Sequence, residues 1–268
     1  MKEDFYIGWS DNTPKSSLKA GRRFFVSALI LLLVIAVVFV TNQVGYADSK
    51  FEFGTLTEVK GTLIKEPAWG VKTKLNGESK TVILVGFGKF GAQETIEGFI
   101  EQGKLKAGDE VTLRGTLFYF QGKYGMELTE VENSYISSSV GNNAEVQSKD
   151  LGEVMLEGEI VDSKCFFGVM NPATHAVHRS CAIRCISGGI TPFFAVKNGN
   201  EFTDYYIIEN AFEEWKDELL SYVGLPTKVM AKAKQYGDWK AIELMNQNML
   251  ASEEDELSTL MKSITICD

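Results

Sequence analysis

The chain has 268 residues, 27 basic and 36 acidic side chains, a net charge of −9 and 44% hydrophobic residues. That apolar content is enough to build packed cores, which excludes a wholly disordered chain. The acidic balance argues against a nucleic-acid partner, because such affinity comes largely from Lys and Arg set against phosphates.

The first element is apolar. Phe24 to Val40 is a 17-residue run without charge, interrupted only by Ser27. Its length lies at the short end of what crosses a hydrocarbon core. Lys15, Lys19, Arg22 and Arg23 precede it, and Lys50 is the first basic residue after it. The positive-inside rule therefore predicts a cytoplasmic tail at 1–23 and a transmembrane helix at 24–41 that acts as a signal-anchor. The remainder is then extracytoplasmic, in the periplasm, with the protein held in the cell membrane by a single pass. Cleavage near Gly45-Tyr46-Ala47 is the competing reading. Against it, the apolar run exceeds the ~7–15 residues usual for a signal peptide. Both readings export the bulk of the chain, whose net charge beyond the anchor is −11.

Residues 52–135 read as strands with one helix. Phe53 to Ile64 and Thr81 to Val85 are strand-like, and Glu94 to Gln102 places Ile96, Phe99 and Ile100 at helical spacing before Gly103. Val111 to Phe120 and Met126 to Val131 then form a hairpin about Gly122 to Gly125. Residues 136–152, rich in Ser and Asn, read as a linker. The plan then repeats over 153–250. Val154 to Asp162 echoes the first strand, and Ala211 to Val223 places Phe212, Trp215, Leu219 and Leu220 at helical spacing. Gly224 to Leu244 parallels Gly108 to Leu128, and Tyr-Gly precedes Glu-Leu in both units. Residues 251–268 form an acidic tail that contains Cys267. The predicted fold is mainly β, with one transmembrane helix and two tandem five-stranded barrels.

The scarce residues collect in one window. Cys165, His175, His178, Cys181 and Cys185 lie within 21 residues and include both histidines and three of the four cysteines. Pro172 and Gly188-Gly189 bracket a helix over 173–187. At ~100° per residue its His175, His178, Cys181 and Cys185 fall within roughly 120° of one face. Cys165, at the end of the preceding strand, folds back over that face. Thiolate and imidazole suit zinc and copper, and Cys165, His178, Cys181 and Cys185 make up a tetrahedral set. Met170 adds a thioether for Cu(I). A disulfide reading stays open: Cys165 bridged to Cys181 or Cys185, with Cys267 taking the other or remaining free. Thiol–disulfide exchange is a third reading.

The strand-and-helix pattern, with Lys106-Ala-Gly-Asp-Glu-Val-Thr-Leu-Arg-Gly115 leading into a fourth strand, resembles the OB-fold. The resemblance implies two OB-like barrels, the second carrying a helical Cys/His insertion at 165–190. The Cys181-x-x-x-Cys185 spacing is similar to that of the binuclear-copper domain of terminal oxidases and of the membrane-anchored copper chaperones that serve them. In the former a histidine follows the second cysteine, and in the latter a proline stands there. A membrane-anchored OB barrel also resembles the haem chaperone of cytochrome c maturation, which binds haem through His-x-x-x-Tyr near the barrel end. No histidine follows His178, so haem is disfavoured against copper or zinc. The run from Gly158-Glu-Ile-Val-Asp162 through Gly188-Gly-Ile190 reads as one module. A nucleophilic hydrolase or phosphate-binding role finds no support, and Gly86-Phe-Gly-Lys-Phe-Gly91 reads as a bulge or turn. The expectation is therefore not an enzyme. It is a membrane-anchored metal or redox-cofactor protein with a membrane-protein complex as partner, with a disulfide-stapled interaction module as the alternative.

Overall fold

The computed structural model describes residues 14–42, 49–75, 77–141, 147–170, 172–199, 201–212, 215–245 and 251–252. Cys267, residues 1–13 of the amino-terminal tail and 253–268 of the acidic tail lie outside them. The chain divides into two units, 1–46 and 47–268.

The first unit holds helix α1 (Lys15–Thr41), of 27 residues, which begins directly after Pro14. Proline there costs no internal hydrogen bond, since the first amides of a helix have no partner in it. The helix takes in Lys15 to Arg23 of the expected tail as well as the apolar run. None of its residues is buried, and its mean hydropathy reaches 3.1 over an 18-residue window. At 1.5 Å per residue it is about 40 Å long, enough to span a hydrocarbon core. A signal sequence has the same character.

The second unit contains two closed five-stranded barrels. Strand β1 (Lys50–Phe51) leads to β2 (Thr57–Ile64), β3 (Gly70–Leu75) and β4 (Glu78–Val85). Helix α2 (Gln93–Glu101) and the hairpin of β5 (Glu110–Phe120) and β6 (Lys123–Leu128) follow. The meander β2-β3-β4 is antiparallel, β6 returns parallel to β4, and β5 pairs with both β6 and β2 to close the barrel. Alternation in β5 turns Val111 and Leu113 into the barrel, as the period of two requires, and Phe118, on the opposite face, is buried against the second barrel. Strand β3 escaped the sequence reading because Gly70-Val-Lys-Thr-Lys-Leu75 mixes charge into a short run.

The expected linker gives both of its ends to strands. After the short helix α3 (Val131–Ser134), β7 (Tyr135–Ser139) adds to β5, and β8 starts at Ser148 and runs to Asp162. The second barrel repeats the first. It consists of β8, β9 (Pro192–Asn198), β10 (Glu201–Ile208), β11 (Pro226–Tyr236) and β12 (Trp239–Leu244). The strand β12 is parallel to β10, and β11 closes onto β8 and β12. A two-residue strand β13 (Ala251–Ser252) adds to β11. The closing hairpins match in strand length, with 11 and 6 residues in each barrel. The Tyr-Gly pairs do not correspond, however: Tyr124-Gly125 lies inside β6, whereas Tyr236-Gly237 begins the turn.

Two helices belong to the second barrel. Helix α4 (His175–Ser187) lies between β8 and β9, and α5 (Lys216–Tyr222) lies before β11. Helix α5 is shorter than the expected 211–223, with Trp215 as its N-cap residue and buried. Each barrel has its own core, around Leu63, Ile96, Phe99 and Met126 in one and Ile160, Phe194, Leu219 and Ile242 in the other. A third cluster crosses between them: Ile83, Val85 and Phe118 of the first barrel meet Phe166, Phe167, Phe193, Tyr205 and Trp239 of the second. Edge-on ring pairs run through it, Phe167 against Phe193 at 5.2 Å and against Trp239 at 5.8 Å.

Candidate metal centre

Strand β8 ends by turning its last residues inward. Glu159 and Asp162 are both 0% exposed, although carboxylates are almost never fully buried without partners. The partners are the two histidines. Asp162 accepts the Cys165 backbone N–H on Oδ1 at 2.8 Å, and its Oδ2 faces His178 Nε2 at 3.0 Å. Glu159 accepts the His175 backbone N–H on Oε2 at 2.8 Å, and its Oε1 contacts His175 Nδ1.

The chain then tightens into a π-helical turn, Cys165–Val169, that seats Cys165 beneath α4. Such turns are uncommon and recur at functional sites. At the far end, α4 closes with the Gly189 N–H on the Ile186 carbonyl and the Ile190 N–H on the Cys185 carbonyl, at 2.9 and 3.0 Å. Gly189 takes φ 93°, the left-handed conformation that this stop requires. The predicted Gly-Gly stop therefore also fixes the turn of helix that carries Cys185.

These elements bring five donors together. Ligand atoms of Cys165, His178 and Cys181 lie within 4.8 Å of one another, as do those of Asp162, Cys165 and Cys185. Cys165 is shared by both groups. The three cysteines are free. His175 belongs to neither group. Its φ of 63° takes it off the helical path at the first residue of α4, so the expected single face loses its first member. Its ring is half-exposed, against Glu159 and near Phe202. Met170 is exposed.

The sulfur atoms share protons. The hydrogen bond to Cys185, then burial and the Asp162 carboxylate, push the Cys165 thiol up from its ordinary value. The same hydrogen bond holds Cys185 below its ordinary value, and the Lys89 ammonium and a Cys181 hydrogen bond act in the same direction. Of this pair Cys185 is therefore the one that ionises, with Cys165 donating to it.

The first barrel reaches this centre. Lys89 Nζ approaches Cys181 Sγ at 3.5 Å. Lys164 Nζ, beside Cys165 in sequence, bonds Glu127 Oε1 at 2.8 Å and the Gly88 carbonyl at 2.5 Å. The Gly91 N–H donates to the Gly188 carbonyl at 2.9 Å. A Cβ at Gly91 would strike the Gly189 carbonyl, and one at Gly188 the Lys89 carbonyl. The run 86–91 is therefore more than a turn: its glycines let two backbones touch at the site.

Sequence reasoning missed Asp162, Glu159 and Lys89. The two acids carried a signal, being charges beside the apolar pair Ile160-Val161. Lys89 carried none, because it is 92 residues from Cys181. No protein-family model, no curated protein and no solved structure matches this chain.

Proposed function

We propose that the chain is a membrane-anchored, extracytoplasmic metal protein, with copper or zinc held by Cys165, His178, Cys181 and Cys185 and served by Asp162. The observation that carries this reading is the meeting of three free thiols, an imidazole and a buried carboxylate in two overlapping groups of 4.8 Å. Soft sulfur and borderline nitrogen donors suit zinc and Cu(I). With Nε2 engaged by Asp162, the other ring nitrogen of His178 is left as the donor, and a carboxylate behind a ligating histidine is a common second partner. When bound, the ion supplies structural cross-linking or, as copper, one-electron chemistry. Asp162 orients the ring and Lys89 offsets thiolate charge.

The anchor reading rests on the apolar α1 and on the basic residues before it. The strand order of both barrels, with a helix ahead of the fourth strand, supports assigning them to the OB type and reading 165–190 as an insertion in the second. An accessory role beside a membrane electron-transfer or assembly complex follows from anchor and metal together. In the experiment that tests the metal reading, reduced, purified chain takes up about one Zn(II) or Cu(I) (one four-donor site per chain) and Cys181→Ser and Cys185→Ser each abolish tight uptake.

A second reading has its own observation: the Cys165 sulfur lies within 4.8 Å of both Cys181 and Cys185 donor groups. In an oxidising compartment Cys165 can bridge to either, giving a disulfide-stapled module or a thiol–disulfide enzyme. Mass spectrometry of freshly isolated protein separates the readings, since a fully bridged Cys165 without metal supports the second.

A further inference from the structure

The donors differ in their access to solvent. Cys165, Cys185 and His178 are 5%, 2% and 3% exposed and Asp162 is 0%, while Cys181 is only partly buried. An incoming ion therefore meets Cys181 first, and Lys89 Nζ is held 3.5 Å from that sulfur. Lys89 is not a wandering surface lysine at its backbone. The Gly88 N–H donates to Glu127 Oε1 at 2.9 Å, and the Gly88 carbonyl accepts from Lys164. The Gly86 N–H donates to the Phe90 carbonyl at 2.8 Å, and the Gly91 N–H is bound to the carbonyl of Gly188. Both sides of Lys89 are pinned, so its exposed side chain is presented at the entry from a fixed backbone.

We propose that Lys89 is the gate of the metal centre and selects metal carried in an anionic complex over the free aquo ion. The proposal rests on the metal reading above. A fixed positive charge at the entry repels an approaching divalent cation and attracts an anionic donor complex. Transfer is a ligand exchange: the ion leaves the donor's oxygen and nitrogen ligands for the thiolates, each thiol that binds releases its proton to solvent, and no electron moves. After transfer the ammonium lies against a metal-bound sulfur and offsets its charge. Lys89 thus acts on the route and rate of loading and is not itself a ligand.

The test uses the reduced full chain in detergent, with Co(II) as the probe because thiolate coordination gives it a charge-transfer absorption. Uptake rates are measured from aquo Co(II) and from the anionic Co(II)–nitrilotriacetate complex. In Lys89→Met, uptake from the aquo ion should rise by roughly tenfold and uptake from the anionic complex fall by roughly tenfold, the scale on which a nearby charge alters encounter rates. Lys89→Glu should widen the split, Lys89→Arg should restore the wild-type ratio, and stoichiometry should be the same in all. Wild-type loading with an unchanged ratio of rates in Lys89→Met overturns the gate and leaves the metal reading standing. Failure of the wild type to bind Co(II) from either source overturns both.

Discussion

Trp239 of the second barrel donates its indole N–H to the Thr81 carbonyl of the first at 2.8 Å, and the Thr81 N–H returns to Asp238 Oδ1 at 3.1 Å. The turn of one barrel is thereby sewn to a strand of the other, over the core that both share. Tyr205 adds a third stitch, donating its hydroxyl proton to Gln121 Oε1 at 3.0 Å.

Trp239 is 2% exposed and packs on Phe167 and Phe193. Trp239→Ala should cost ~3–5 kcal/mol, the range for removing a buried aromatic ring. Because the cavity lies between the barrels, chemical denaturation followed by probes in both should shift together. A shift confined to the second barrel would contradict the shared core.

Alkali should loosen the same junction. Burial, then the Asp204 carboxylate, push the Tyr205 hydroxyl up to about 12 from 10.0. Burial, then the Glu209 hydrogen bond, raise Tyr236 likewise to about 12. Between these values the unfolded chain gives up the protons more readily than the folded one, so stability is fully present below about pH 10 and falls as pH rises towards 12. Tyr205→Phe should make the fall shallower while costing ~1 kcal/mol near neutrality for the lost hydrogen bond. Denaturant midpoints at rising pH check both effects.

The two histidines should part company on substitution. His178→Ala removes a ligand and strands the buried Asp162, so metal affinity should drop. His175→Ala removes one partner of the buried Glu159, which keeps the His175 backbone N–H. It should cost ~1–3 kcal/mol of stability, the penalty for an under-satisfied buried acceptor, with metal stoichiometry retained. Competitive titration and thermal unfolding of each variant separate the roles.

Asp162→Asn keeps the shape and removes the charge. If Asp162 orients the His178 ring, metal affinity should fall ~10–100-fold, as it does when such a supporting carboxylate is lost. Competition against a chelator of known strength measures it, and unchanged affinity would remove Asp162 from the site.

Much of this was legible in residue pattern. The alternation in β5, the helical spacing of Ile96 and Phe99 and the Gly188-Gly189 stop are local signals, and each element lies where its pattern predicts within a few residues. The clustering of Cys165, His178, Cys181 and Cys185 was legible for the same reason, since most of it lies on one helix. What failed was non-local or conformational. The positive φ of His175 breaks a helical-wheel argument that assumes regular geometry from the first residue. The approach of Lys89 to Cys181 depends on how two barrels pack, and no spacing within either one encodes it. The repeated Tyr-Gly pairs misled because a shared dipeptide carries less information than strand length.

The central claim is that sulfur and nitrogen from this one window bind a transition metal. X-ray absorption of the reduced chain loaded with one equivalent of Zn(II) tests it most directly. The account predicts sulfur scatterers at about 2.3 Å with a nitrogen at about 2.0–2.1 Å, and loss of sulfur on Cys181→Ser or Cys185→Ser. A shell of oxygen alone, or a spectrum unchanged by both substitutions, would contradict it.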